Sequence, residues 1–107
     1  MINLKEELTS SELKLVADCL SATVNGSFFP DWEFETLFGV SRSFVDSVRQ
    51  RWPNIDAQNA EIGAAVIGSL NNLLGYPQKS AGEWSQYISA SDDDVRNLLK
   101  KLQNLGL

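Results

Sequence analysis

The sequence predicts an all-α protein, a single compact orthogonal bundle of five or six helices spanning residues 1–107. Three observations carry that prediction. N-capping residues recur along the chain, each followed by apolar positions at helical spacing. No stretch alternates apolar and polar residues as a half-buried strand does. The composition, 43% hydrophobic and 21% charged over 107 residues, suits a globular domain able to bury one core. No repeat, low-complexity tract or linker divides it.

Each element has its own signal. Thr9 and Glu12 form a capping box, with Leu8 and Leu13 spaced as a hydrophobic staple, so a helix over 10–24 is expected. Its inward face is Leu13, Val16, Ala17, Leu20 and Val24, and Asn25-Gly26 stops it. The segment from Ile2 to Leu8 either extends this helix or forms a separate turn. Asp31 is expected to N-cap a short helix that points Phe34, Leu37 and Phe38 inward and ends at Gly39. Ser41 caps the next, in which Phe44, Val45, Val48 and Trp52 share a face until Pro53.

Asp56 is expected to start the longest helix, about 57–74, with Ile62, Val66, Ile67, Leu70, Leu73 and Leu74 on a broad apolar side. That breadth makes it the central helix. Gly63 and Gly68 each cost it about 1 kcal/mol relative to alanine, which close approach of a neighbouring helix would offset. Gly75-Tyr76-Pro77 closes it. A short helix near 81–88 carries Trp84, Tyr87 and Ile88, with Trp52 and Trp84 expected in the core. Ser91 and Asp94 form a second capping box, and Asp92, Asp93 and Asp94 match the positive end of the helix dipole. Val95, Leu98, Leu99, Leu102 and Leu105 face inward, Lys100 and Lys101 lie toward the negative end, and Gly106 terminates the helix.

Composition also narrows function. The chain has no histidine, which removes the usual general base, the usual zinc ligand and the Ser-His and Cys-His nucleophile pairs. No phosphate loop or nucleophile elbow is present, so a non-enzymatic protein without cofactor or metal is expected. Cys19 is the single cysteine, which excludes an intrachain disulfide, and a partly buried structural thiol in a reducing cytoplasm is expected. No apolar run reaches the ~20 residues of a membrane span, and MINLKEELTS lacks a signal-peptide core.

The net charge of −5 is concentrated. In residues 1–40, Lys5 and Lys14 stand against Glu6, Glu7, Glu12, Asp18, Asp31, Glu33 and Glu35, and this half holds the whole excess. Such a surface repels a phosphate backbone and attracts a basic protein. The stretch 27–40 also places Phe28, Phe29, Trp32, Phe34 and Phe38 among Asp31, Glu33 and Glu35, with no basic residue. Asp31, Trp32, Glu33 and Glu35 are therefore the expected partner-binding patch, with Trp32 partly exposed and Glu6, Glu7 and Glu12 adding long-range steering. Asp31 and Glu35, four residues apart on one helix face, are better read as solvated charge than as an acid–base pair.

An alternative lies in TLFGVSRSFVDSVRQRW, residues 36–52, which resembles a DNA-reading helix-turn-helix with Arg42, Arg49 and Arg51 on its second helix. Gly39 and Val45 suit that motif. Glu35 does not, because it falls where the two helices touch and a small residue is needed. Asp31 and Glu33 make the first helix more repellent to DNA, and nucleic acid is the disfavoured partner.

The combination FFPDWEFETLFGVSRSFVDSVRQRWP with NNLLGYP is similar to a family of small bacterial helical proteins, over residues 28–77. Acidic stand-alone domains of this kind are associated with immunity proteins of bacterial toxin systems, including contact-dependent growth inhibition. The resemblance implies an inhibitor whose acidic surface covers the active site or substrate groove of a toxin, often a basic nuclease. It assigns no individual residue a role.

Overall fold

A computed structural model describes residues 3–26, 29–75 and 86–107. Among them are six helices and no strand: α1 (Leu4–Glu7), α2 (Ser10–Asn25), α3 (Asp31–Phe38), α4 (Arg42–Arg51), α5 (Ala60–Gly75) and α6 (Asp92–Asn104). The chain is an all-α bundle. Its Cα radius of gyration of 12.7 Å matches the roughly 13 Å expected of a folded chain this long. No described helix is long and apolar enough to cross a membrane.

Helix ends follow the local chemistry. Thr9 Oγ1 accepts from Glu12 N at 3.1 Å while Glu12 Oε1 accepts from Thr9 N at 2.8 Å, and Ser91 with Asp94 repeats the box on α6. Ser41 caps α4 by accepting from Phe44 N. Gly39, at φ 73°, ends α3 in the left-handed conformation that glycine adopts without penalty. Two expected starts move. Asp31 is the first residue of α3 rather than its cap, which is Pro30, and its carboxylate is engaged by Arg42. Helix α5 begins at Ala60 rather than near 57, because Asn59 Oδ1 accepts from Glu61 N and Ile62 N. Asp56 instead turns the preceding loop through Gln58 N.

Helix α5 is central, packing against α2, α3, α4 and α6. Gly68 permits the close approach of α3, since a Cβ there would lie 3.0 Å from Phe38 Cδ1. Gly63 does not serve this purpose, having nothing within 4 Å of an added Cβ. The inward face of α2 is Leu15, Val16, Cys19, Leu20, Ala22 and Thr23, so Leu13, Ala17 and Val24 lie at its margins. Ile67 and Leu74 are likewise marginal on α5. Buried Thr23 and Ser69 donate to Cys19 O and Ala65 O one turn back, which satisfies both hydroxyls. Trp52 is half-buried and donates Nε1–H to Leu13 O at 3.0 Å, tying α4 to α2. The expected helix near 81–88 reaches the described residues only at 86–87; Trp84, like Phe28, Tyr76 and Pro77, lies outside them. Ile88 is buried and Tyr87 Oη donates to Asn25 O.

Candidate protein-docking face

Helix α3 has two unlike sides. Phe34 and Phe38 are buried and stacked at 4.3 Å, with Phe29 edge-on to Phe38 at 5.0 Å and to Phe34 at 6.5 Å. These three rings pin the inner side, each burial worth about 1.5–3 kcal/mol. Trp32 precedes Phe34 by two residues, a rotation of about 200°, and so must point away from the core. It is 80% exposed. Among the described residues the exposed large hydrophobics are Trp32 and Leu37, and both lie on this eight-residue helix. Leu37 was expected inward. It falls short of the core by the angle separating it from Phe34 and Phe38, and its carbonyl accepts from Asn72 Nδ2 of α5 at 3.3 Å.

The carboxylates of α3 are not equivalent. Asp31 is exposed but paired, accepting from Arg42 Nε at 2.9 Å. Glu35 is exposed and Glu33 half-exposed, and neither has an ionic partner among the described residues. The outer side of α3 is thus one large indole flanked by two uncompensated negative charges. The structure brings Asp31, Trp32, Glu33 and Glu35 together on this helix.

The expected steering residues divide. Glu6 and Glu7 are exposed on α1, an element without extensive packing on α3. Glu12 is occupied by the fold. Besides capping α2 it accepts from Lys101 Nζ at 2.7 Å, and the lysine hydrogen bond, followed by the Thr9 amide, holds its carboxyl below the ordinary value of 4.5.

The cations of the alternative reading are also engaged. Arg42 is a clamp: besides Asp31, it donates through one terminal nitrogen to Thr23 O and Val24 O, both at 3.1 Å, and through the other to Phe29 O at 2.6 Å. The first two are carbonyls of the last turn of α2, so a guanidinium there both donates to them and matches the negative end of the helix dipole. The same group lies 4.5 Å over the Phe34 ring. Arg49 Nε pairs with Asp46 at 2.7 Å, lowering the aspartate's pKa, and Gln50 also binds that carboxylate. Arg51 is exposed and bonds back to Ser47 O.

A second surface feature is a groove of about 720 Å³ between α2 and α6, lined by Glu12, Lys14, Asp18, Asn97 and Lys101. Four of its charges compensate one another through the Glu12–Lys101 and Lys14–Asp18 pairs, the latter at 3.0 Å, and the fifth, Asp94, accepts from Ser91 N. Of the three aspartates opening α6, Asp94 is in the capping box and Asp93 pairs with Arg96. Among the described residues no group of three or more His, Cys, Asp or Glu could hold a metal ion. Cys19 is fully buried.

No protein-family model, no curated protein and no solved structure matches this chain.

Proposed function

We propose that the protein is a non-catalytic, acidic protein-binding module of the immunity type, which neutralises a basic toxin or nuclease domain in the cytoplasm by covering its active site. The observation that carries this reading is the 80% exposure of Trp32 on a helix whose opposite side is fixed by Phe34 and Phe38. Leaving a tryptophan in water forgoes burial energy, and rigidly presented aromatics rimmed by charge are the anchors of protein interfaces. The charge selects the partner. A second copy of this chain would set Glu33 and Glu35 against themselves across a two-fold axis, whereas a basic surface complements them.

The alternative, a DNA-binding regulator built on 36–52, draws less support. Arg42 and Arg49 are engaged within the fold, and α4 presents Asp46 beside Arg49. Affinity capture from the native cell lysate at moderate salt separates the two. The inhibitor reading expects one stoichiometric basic protein that elutes as salt rises. Recovery of DNA without a protein partner would instead establish the regulator.

A further inference from the structure

Helix α3 already contains one guanidinium site. Asp31 and Phe34, three residues apart, hold Arg42 between them, with the carboxylate at 2.9 Å and the ring centroid at 4.5 Å from the guanidinium carbon. Residues so spaced are neighbours on a helix surface, which lets a flat cation lie on the ring while its edge meets the carboxylate. The outer side of the same helix repeats this composition with Trp32 and Glu35, again three residues apart. The order is reversed, and the longer glutamate chain supplies reach. Here the ring is 80% exposed, and Glu35 has no ionic partner among the described residues.

We propose that Trp32 and Glu35 form a second guanidinium site, which takes an arginine side chain of the partner stacked on the indole with its charge met by the Glu35 carboxylate. Tryptophan is the strongest of the aromatic cation acceptors. A planar guanidinium both stacks and pairs edge-on, which a lysine ammonium cannot do. Glu33, on the other flank of Trp32, adds attraction without geometry. The site rests on the docking reading above for the nature of its occupant, but it is tested without that partner.

The test titrates the ¹⁵N-labelled protein with a blocked hexa-arginine peptide and, separately, with hexa-lysine at physiological salt. The indole N–H signal of Trp32 is assigned by its loss in Trp32→Phe. The expected result is saturable movement of this signal beyond that of half-buried Trp52, with arginine binding about three- to fivefold tighter than lysine. Glu35→Gln weakens the arginine peptide by a similar factor of about three, while Glu61→Gln, an exposed carboxylate on α5, leaves it unchanged. A Trp32 signal unmoved by the peptide overturns the site, as do equal affinities for arginine and lysine. Were the arginine site to fail while a basic protein still lost its grip on Trp32→Ala, the docking reading would survive with a different contact.

Discussion

Phe38 occupies the space that a side chain at position 68 needs: a Cβ on Gly68 falls 3.0 Å from its Cδ1 and 3.6 Å from its Cε1. Phe38 has little freedom to yield, since it is stacked on Phe34 and edged by Phe29. The contact sets how α3 sits on α5, and hence where Trp32 points. Alanine at 68 gains about 1 kcal/mol of helix propensity but overpacks at a cost of about 1–3 kcal/mol. Gly68→Ala is therefore expected to destabilise, and Gly63→Ala, with open space around its Cβ, to stabilise by up to about 1 kcal/mol. Urea unfolding midpoints that rise for both variants would show that Phe38 does not hold this position.

Arg42 divides its contacts between a fully hydrated carboxylate and three main-chain carbonyls. The Asp31 side chain is 93% exposed, so Asp31→Asn should cost less than about 1 kcal/mol. Arg42→Ala removes the donor to the carbonyls of Thr23, Val24 and Phe29, at about 1–3 kcal/mol for each that neither water nor another donor reaches. Chemical denaturation should rank Arg42→Ala far below Asp31→Asn, with Arg42→Lys between them. Equal losses from the first two would place the clamp's value in the ion pair instead.

Acid should weaken the α2–α6 connection. Glu12 is held below its ordinary 4.5 in the fold, chiefly by Lys101, and Asp46 is held below 3.8, chiefly by Arg49. A depressed carboxyl contributes stability above its unfolded value and loses it as pH falls through the folded one. The thermal midpoint should therefore drop as pH falls below about 4.5, and the drop should be shallower in Glu12→Gln. An acid limb of the same slope in that variant would show that Glu12 does not contribute to the acid sensitivity.

Cys19 is buried, and burial, followed by the Asp18 charge, pushes its thiol up to about 12. A disulfide-exchange reagent should find it inert in the native protein at neutral pH. Labelling should instead track the opening of α2, accelerating in Arg42→Ala, which loosens the end of that helix. Rapid labelling of the wild type under native conditions would contradict the burial.

Local chemistry made the fold legible, and long-range geometry hid part of the site. The boxes at Thr9–Glu12 and Ser91–Asp94, and the Gly39 corner, depend on residues within one turn, so their pattern reads directly. The face of α2 reads rotated because Cys19, Ala22 and Thr23 are buried while carrying little of the apolar signal that Leu13 and Val24 advertise. Leu37 illustrates the converse, an apolar residue turned outward because Phe34 and Phe38 claim the core. Trp32 stood out through its acidic neighbours. The role of Arg42 is not readable, since three of its four hydrogen-bond partners are main-chain carbonyls 13 to 19 residues away.

Stability and binding should separate cleanly on α3. Phe34→Ala removes a ring that is 1% exposed and should cost about 3–5 kcal/mol, whereas Trp32→Ala should stay within about 0.5 kcal/mol of wild type. A large loss of stability from Trp32→Ala would mean that the indole packs against the bundle.

Paired capture from the native lysate tests whether the outer side of α3 is the docking face. Wild-type protein and the double variant Trp32→Ala/Glu33→Lys are used as baits at equal loading, with helical circular dichroism confirming that both are folded. The expected result is a basic protein retained by the wild type and absent from the variant. Equal retention of that protein by both baits would contradict it and move the interface elsewhere on the molecule.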